Sequence, residues 1–267
     1  MGLIGASFLR AARLRLPGTA LSAWSRSPTS ARATADVAET RTTPAEAAAD
    51  ADCVVLAAPV DAFPSLLAAI APALRPGAWV TDVGSTKRGA HAAAERILRE
   101  PGRFVGGHPM AGSEKNGAGG ARADLFEGRP CIVTSTSRTD LEVRRRAVAL
   151  WEALGGRSIE LTPEDHDRAV AEISHLPHAV ASVLAALLAG RRPRTDLAAG
   201  GLRDTTRVAA GDPDLWVPIL LENADQVAPL LGLLAAEAER LRDLLAAGDA
   251  AGIRAHLEAA RSFRRSL

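Results

Sequence analysis

The chain has 267 residues, a 47% hydrophobic share and 32 basic against 31 acidic side chains, which gives a formal net charge of +1. This length allows one large domain or two modest ones, and the hydrophobic share is enough for an ordinary core, which excludes wholesale disorder. The small net charge argues against an extended nucleic-acid surface, and the two cysteines, Cys53 and Cys131, exclude a disulfide scaffold or a four-cysteine zinc module.

Short apolar strands alternate with helical stretches from the N-terminus to about residue 160. The predicted strands are residues 19–24, 53–58, 79–83, 104–106, 131–134 and 158–161. The predicted helices of this part lie near residues 63–74, 88–99 and 141–154. Strands that alternate with helices of this length indicate βαβ units and a mostly parallel sheet.

After Thr162 the sequence predicts only helices. Pro163, Glu164 and Asp165 suit the start of a helix whose N-cap is Thr162. Leucines then recur at helical spacing over residues 230–245. We therefore predict an α/β domain over residues 1–161 and an all-helical domain over residues 162–267, a layout typical of two-domain dehydrogenases but shared by many other proteins.

The longest uncharged run, residues 173–190, has the length of a transmembrane helix. It contains Ser174, His175, Pro177 and His178 in its first third, and it lacks aromatic residues at its ends. The N-terminus shows no basic-then-apolar secretory signal. We predict a buried helix of a soluble, cytoplasmic protein, with no membrane segment.

A glycine pattern at the N-terminus indicates a nucleotide site. Gly2-Leu3-Ile4-Gly5 looks like the last two glycines of G-x-G-x-x-G at the start of a helix, where backbone N–H groups bind a pyrophosphate. The first glycine and the strand before it are absent, so we expect the chain to begin inside the cofactor loop and the sheet to lack its central first strand. Further cofactor contacts are predicted at Ser25, Arg26, Ala58, Pro59 and Asp82.

The end of the second strand of such a domain bears on the choice of cofactor. A carboxylate at this point bonds the ribose hydroxyls of the unphosphorylated cofactor. The chain instead has Trp24-Ser25-Arg26-Ser27, and the side chains of Ser25 and Arg26 can donate to a 2′-phosphate. The sequence therefore favours NADP, with NAD left open.

Four sequence blocks contain residue types that suit catalysis or binding. Asp82-Val83-Gly84-Ser85-Thr86-Lys87 follows one predicted strand, and a glycine-rich block from Gly106 to Gly117 with His108 follows another. Ser174-His175-Leu176-Pro177-His178 and Gly201-Leu202-Arg203-Asp204-Thr205-Thr206-Arg207 lie in the helical domain. Ligands bind open α/β sheets at the carboxyl ends of strands, so the first two blocks are candidate site segments.

Together these blocks resemble the prephenate/arogenate dehydrogenase family, in the family's order and spacing from Gly2 to the region of Asn223. The resemblance implies a Rossmann-like nucleotide-binding domain followed by an all-α domain that binds substrate and forms a homodimer. It also implies the oxidative decarboxylation of prephenate to 4-hydroxyphenylpyruvate in tyrosine biosynthesis, with hydride transfer to NAD(P)⁺.

The resemblance also implies roles for individual residues. His108 corresponds to the catalytic histidine, a residue type that suits proton withdrawal near pH 7, and Ser85 corresponds to the serine that orients it. Arg207 matches the arginine that binds a substrate carboxylate. The other predicted substrate contacts are Ser113, Glu114, Ser174, His175, His178 and Trp216. His91, His166 and His256 receive no role, and no metal site is predicted.

Two kinds of alternative stay open. Arogenate carries an ammonium where prephenate has a keto group; residues 174–190 contain no carboxylate to accept it, which favours prephenate, although Glu114 can serve. The same pocket fits 4-amino-4-deoxyprephenate. The alternative from a different class is a catalytically idle dimeric binding module, which the incomplete glycine pattern supports.

Overall fold

The structure is a computed structural model and describes residues 2–112, 117–191 and 193–267. In these residues the strands are β1 Ser22–Ala23, β2 Glu39–Thr40, β3 Cys53–Leu56, β4 Trp79–Asp82, β5 Phe104–Pro109, β6 Pro130–Thr134 and β7 Arg157–Leu161. The α-helices are α1 Leu3–Arg15, α2 Pro28–Arg32, α3 Pro44–Ala48, α4 Phe63–Ile70, α5 Arg88–Ile97, α6 Leu141–Ala153, α7 Pro163–Val170, α8 Leu176–Arg191, α9 Gly200–Thr206, α10 Pro213–Glu222, α11 Ala224–Ala247 and α12 Ala250–Ser266.

The chain forms two compact units. The first unit consists of Met1–Val170 and Ala210–Asn223, and the second of Ala171–Ala209 and Ala224–Leu267. A single cut after residue 161 assigns every later helix to one domain, whereas α7 and α10 belong to the first unit. The helical part of the chain therefore contributes residues to the α/β unit.

The strands of the first unit form two sheets. β1 and β2 pair in parallel, and the other strands form a sheet with the order β3-β4-β5-β6-β7. Neighbours in the larger sheet are parallel except for β5 and β6, which are antiparallel. The first element of the described residues is α1, which begins at Leu3.

Two apolar clusters cover the faces of the larger sheet. Trp151 is the centre of one cluster, with the rings of Phe8 and Phe126 edge-on to it at 5.8 and 5.5 Å. The other cluster contains Phe63 and Leu67 of α4. Because a strand between two such layers is buried on both faces, it contains a nearly continuous apolar run, as the sequence of β6 does. Polar groups at the ends of these strands must find partners inside the protein.

Several details of the first unit differ from the sequence prediction. The strand predicted at residues 19–24 is limited to Ser22–Ala23. β2 has two exposed residues and no apolar alternation, so its short sequence carries no strand signal. β5 continues to Pro109, three residues beyond its predicted end, and therefore includes His108. The predicted cap of α7 is present, because the Asp165 N–H donates to Thr162 Oγ1 at 3.1 Å.

The second unit is helical and leaves many large apolar side chains exposed. It contains α8, α9, α11, α12 and a π-helical turn at Ala171–His175. Side chains that are 58–69% exposed include Ile173, Val183, Leu187, Leu233 and Phe263. By length and composition alone, one helical stretch of the described residues, Pro163–Arg191, is long and apolar enough to cross a membrane. The absence of a membrane segment stays a prediction.

Candidate active site

The candidate active site lies at the edge of the larger sheet where β4 and β5 end. These strands are parallel, with Val80 opposite Phe104, so their carboxyl ends meet at one edge. Half-buried Ser85 lies in the loop after β4, and half-buried His108 lies near the end of β5. The structure therefore brings the two predicted catalytic residues to the same edge.

His108 is the outer member of a chain of three hydrogen-bonded side chains. Its Nδ1 lies 2.8 Å from Nε2 of His166, and His166 Nδ1 lies 2.8 Å from Oδ1 of Asp167. His166 and Asp167 lie on α7, with 0% and 1% of their surfaces exposed. Sequence reasoning missed both residues, since it gave His166 no role.

The Asp167 carboxylate lies against the first turn of α5. Its Oδ1 accepts the backbone N–H of Lys87 at 2.8 Å, and its Oδ2 accepts the backbone N–H and Nε of Arg88, both at 3.0 Å. Burial alone raises the pKa of Asp167, but the hydrogen bonds from His166 and from the Arg88 and Lys87 backbone hold it below its usual range. Asp167 is therefore ionised at neutral pH.

His166 is a neutral side chain in this environment. Burial lowers the pKa of His166, and the nearby Lys87 ammonium adds to the shift, while the bond to Asp167 opposes it. At pH 7 the ring thus has one proton, and its two nitrogens are one donor and one acceptor.

A buried ion pair fixes the backbone next to His108. Asp82 and Lys87, both 0% exposed, are joined at the two ends of the loop that contains Ser85. Asp82 Oδ1 accepts the Gly107 N–H at 3.1 Å, and Lys87 Nζ donates to the Gly107 carbonyl at 2.8 Å. The pair thus holds both polar groups of the residue that precedes His108.

Gly107 cannot be replaced in this arrangement without movement of the backbone. A Cβ at Gly107 would lie 2.5 Å from the backbone oxygen of Asp82 and 3.0 Å from Trp151 Nε1. The missing side chain lets the ends of β4 and β5 approach closely enough for the ion pair to reach the Gly107 peptide groups.

The structure does not support the predicted cofactor contact of Asp82. Its carboxylate is fully buried and accepts hydrogen bonds from Lys87, from the Gly107 N–H and, at 2.8 Å, from the Gly84 N–H. A buried carboxylate is tolerated only when it is paired in this way. Asp82 stabilises the loop and strand from inside the protein.

The remaining predicted cofactor residues lie at the start of α1 and after β1 and β3. Gly2 is the N-cap of α1, and a Cβ there would meet nothing within 4 Å. Arg26 is exposed after β1. Open space before a helix N-terminus suits a phosphate, and so does an exposed guanidinium, so these residues fit a nicotinamide dinucleotide. The other members of the set are half-buried Leu3, Ile4, Ser25 and Ala58, buried Gly5 and exposed Pro59.

The predicted substrate residues are distributed over both units. In the second unit, half-buried Ser174 and buried His175 lie in the π-helical turn, and buried His178 lies on α8. The His178 ring hydrogen-bonds the backbone of Val208, the residue after exposed Arg207, and burial lowers the pKa of His178. The second unit thus brings His178 next to the segment of Arg207.

The other predicted substrate residues are placed differently. Ser113 and Glu114 lie outside the described residues. Trp216 lies on α10 in the first unit, half-buried against the cluster that contains Phe63 and Leu67. Within the described parts of the chain, no group of three or more His, Cys, Asp or Glu side chains is arranged to hold a metal ion.

Two family models match the chain, one on each side of residue 161. The model described as "Prephenate dehydrogenase, nucleotide-binding domain" matches residues 10–160, and that described as "Prephenate dehydrogenase, dimerization domain" matches residues 162–259. The chain belongs to the prephenate dehydrogenase family. The predicted family is confirmed, as is the predicted fold class of a Rossmann-like α/β domain followed by a helical dimerisation domain.

Similar proteins in this family cover nearly the whole chain. The cyclohexadienyl dehydrogenase of Zymomonas mobilis is 34% identical over all of this chain and 94% of its own length. The prephenate dehydrogenase of Bacillus subtilis is 33% identical over 82% of this chain, which spans 60% of that longer protein. The crystal structure of Aquifex aeolicus prephenate dehydrogenase in complex with hydroxyphenyl propionate and NAD⁺ has a TM-score of 0.92 at 30% identity and covers 99% of this chain and 95% of its own.

Proposed function

We propose that this protein oxidatively decarboxylates prephenate to 4-hydroxyphenylpyruvate, with hydride transfer to NAD(P)⁺, as a step of tyrosine biosynthesis. The observation that carries the proposal is His108, which ends a buried hydrogen-bonded chain at the carboxyl edge of the sheet in a nucleotide-binding domain of the prephenate dehydrogenase family. A cytoplasmic enzyme is consistent with the soluble biosynthetic role that this family implies.

The reaction needs a group that takes and returns one proton. The substrate has a hydroxyl and a hydrogen on ring carbon C4 and a carboxylate on C1. When bound, the nicotinamide accepts the hydride that leaves C4. His108 takes the hydroxyl proton as the C4 carbonyl forms. The C1–carboxylate bond then breaks to release CO₂, its electron pair completes the aromatic ring, and His108 returns the proton to the phenolate oxygen.

The residues near His108 orient this step. Ser85 lies on the loop after β4, at the same sheet edge, and its hydroxyl is proposed to hold the substrate hydroxyl and the imidazole together. The ion pair of Asp82 and Lys87 fixes both ends of that loop. A base held in one position gains most from proximity, because displacements of about 1 Å can cost about 100-fold in rate.

The dianionic substrate also needs cationic and hydrogen-bonding partners. We assign a substrate carboxylate to Arg207, whose planar fork allows a bidentate bond, and further contacts to Ser174, His175 and His178 of the second unit. Ser113 and Glu114 complete the assigned set. Trp216 is half-buried against the cluster of Phe63 and Leu67, which supports a role in packing instead of substrate contact.

NADP is the favoured cofactor. No acid ends the segment after β1, and the exposed Arg26 together with Ser25 offers donors for a 2′-phosphate. Gly2, Leu3, Ile4 and Gly5 offer the helix N-terminus to the pyrophosphate.

A homodimer through the helical domain completes the proposal. The second half of the chain matches a dimerisation domain, and large apolar side chains of the second unit are exposed in a single chain. Neither nucleic acid nor a membrane is proposed as a partner, because the net charge is only +1 and His175 and His178 interrupt the apolar helical stretch.

One assay tests the substrate and the cofactor together. Purified protein is given prephenate, arogenate or 4-amino-4-deoxyprephenate with NAD⁺ or NADP⁺, and reduced nicotinamide and CO₂ are followed. We expect the highest kcat/KM for prephenate with NADP⁺. A lack of turnover with all six pairs contradicts the enzyme, whereas turnover with NAD⁺ alone contradicts the cofactor preference. A higher kcat/KM for arogenate than for prephenate contradicts the proposed substrate. The name of the Zymomonas relative refers to the cyclohexadienyl ring, which arogenate and prephenate share.

The assigned base is tested by His108→Asn. We expect kcat to fall about 1,000-fold, because general-base catalysis typically contributes 10²–10⁴-fold, while prephenate binding measured by calorimetry is retained. His256→Asn, in the second unit, is the control and should leave turnover within about twofold. Unchanged turnover in the His108 variant refutes the base role.

A further inference from the structure

We propose that His166 and Asp167 are positioning residues that fix the proton of neutral His108 on Nδ1 and leave the lone pair of Nε2 as the proton acceptor. The statement that Nε2 accepts the substrate hydroxyl proton rests on the proposed function. The position of the proton on His108 follows from a count of donors and acceptors within the first unit.

The ionised Asp167 side chain can only accept hydrogen bonds. Its Oδ1 faces the Lys87 N–H and His166 Nδ1, and its Oδ2 faces the N–H and Nε of Arg88. Each oxygen thus meets two nitrogens, and the three from Lys87 and Arg88 can only donate. A proton on Oδ2 would face donors only. A proton on Oδ1 could be accepted by His166 Nδ1 alone, but the three N–H donors of Lys87 and Arg88 favour the ionised form, so Asp167 is a carboxylate and His166 Nδ1 donates.

The tautomer of His166 determines which nitrogen of His108 has the proton. Because the proton of neutral His166 is on Nδ1, its Nε2 is an acceptor. The 2.8 Å contact between His166 Nε2 and His108 Nδ1 is therefore a bond in which His108 Nδ1–H donates. Neutral His108 has one proton, and its Nε2 bears the lone pair. An exposed histidine in water favours the opposite tautomer, with the proton on Nε2.

The surroundings of His166 hold it neutral. The charged and titratable groups that act on it are the ionised Asp167, the buried Lys87 and Asp82 pair, and His91. Lys87 opposes a second proton on the ring, and burial opposes any charge there. When His108 is protonated at Nε2, its Nδ1–H still donates to His166, and the negative charge of Asp167 lies one imidazole away.

Further hydrogen bonds fix the position of Asp167, the inner member of the hydrogen-bonded series His108, His166 and Asp167. The side-chain amide of Asn223, which is 0% exposed, donates to the Asp167 carbonyl at 2.7 Å, and Arg88 donates to the Asn223 side-chain oxygen at 3.0 Å. Asp167 is thus held from its backbone and its carboxylate at the same time. A displacement of α7 would break bonds to both α5 and Asn223.

The tautomer is measured directly on the full chain, without any assay of activity. Long-range ¹H–¹⁵N correlation spectra of protein labelled at histidine nitrogens report which ring nitrogen has the proton. The chain has only six histidines, and spectra of the His108→Asn and His166→Gln variants assign the two signals. At pH 9 we expect wild-type His108 to have its proton on Nδ1. A proton on Nε2 overturns the proposal, whatever reaction the protein catalyses.

Two substitutions at His166 separate positioning from a merely structural role. His166→Leu removes the acceptor, and we expect kcat to fall about 100-fold, the low end of general-base contributions, with KM values changed less than about threefold. His166→Gln places an amide oxygen near the former Nε2 and should restore about tenfold of the loss. A His166→Leu variant that keeps kcat within about threefold of wild type overturns the proposal.

His91→Gln is the matched control for the loss of a buried histidine. His91 is 6% exposed, bonds Thr134 Oγ1 at 3.0 Å and packs against Phe104 in the same unit. We expect it to lower thermal stability while leaving kcat unchanged. A fall in kcat equal to that of His166→Leu overturns the specific role of His166. If wild-type protein turns over none of the substrates, the proposed function fails, and the spectra alone decide the tautomer.

Discussion

The two units of this chain differ in how they bury charged groups and in how many large apolar side chains they expose. In the first unit, ionisable side chains around His108 are buried and bonded, and Lys87, Asp82, His166 and Asp167 are at most 1% exposed. In the second unit, Leu187 and Leu233 are 58% and 68% exposed. The first unit holds the proposed base, His108, with its own residues, whereas the second has apolar surface that suits the dimerisation named in its family description.

The largest effect on stability is expected at the centre of the buried polar network. Lys87→Met leaves the Asp82 carboxylate buried without its cation, and breaking such a pair typically costs about 3–5 kcal/mol of unfolding free energy. Urea unfolding followed by circular dichroism measures the loss. The double variant Asp82→Asn, Lys87→Met removes both charges and should recover at least half of it; a double variant as unstable as the single one would show that the unpaired Asp82 charge is not the source of the loss.

A matched pair of leucine substitutions tests the contrast between the units. Leu67 of the first unit is 0% exposed and Leu187 of the second is 58% exposed. We expect Leu67→Ala to cost about 3 kcal/mol and Leu187→Ala to cost less than about 0.5 kcal/mol within a single chain. Any further effect of Leu187→Ala should depend on protein concentration, because it would arise from association. If the two variants lost the same unfolding free energy at every protein concentration, the proposed difference between the two units would be wrong.

The third expected effect is a pH dependence of stability. Burial, followed by the charge of Lys87, lowers the pKa of His91 to about 4. An unfolded histidine has a pKa of about 6.5, so between pH 6.5 and 4 the unfolded chain binds the extra proton and the unfolding free energy falls as the pH falls. The full loss attributable to His91 is about 3 kcal/mol.

His91→Gln reveals this contribution. Urea unfolding of wild type and variant at several pH values from 7 to 4.5 should give a shallower slope in the variant. Some slope should remain, because the pKa of His166 is lowered in the same direction. Parallel slopes for the two proteins would show that the folded state does not lower the pKa of His91.

Much of the first unit can be predicted from its sequence because local patterns and tertiary burial agree there. β4 and β6 are almost entirely buried, and the bounds of β3, β4, β6 and β7 agree with the predicted strands to within two residues at either end. β2 could not be predicted, since its two exposed residues have only pairing with β1 to define them. The end of β5 was missed because Gly107 and Pro109 are weak strand formers.

The candidate site was predicted in part. Sequence blocks placed Ser85 and His108 after neighbouring strands, which the topology brings to one edge. His166 was overlooked because a single histidine on a helix is usually structural. A signal was nevertheless present: Pro163, His166, Asp167 and Val170 follow the spacing of one helical face, and that face is buried. Polar residues on a buried helical face of this kind need partners, and the partner of His166 is His108.

The hydrogen bonds of Asp82 and Lys87 to Gly107 also limit which substitutions this protein can accept during evolution. A change of Asp82 or Lys87 leaves the other charge and a Gly107 peptide group without a partner, and a side chain at Gly107 would lie 2.5 Å from the Asp82 backbone oxygen. The mutational effects at these three residues should therefore be strongly non-additive. We therefore expect specificity to change more readily in the segments proposed to contact substrate than in the position of His108.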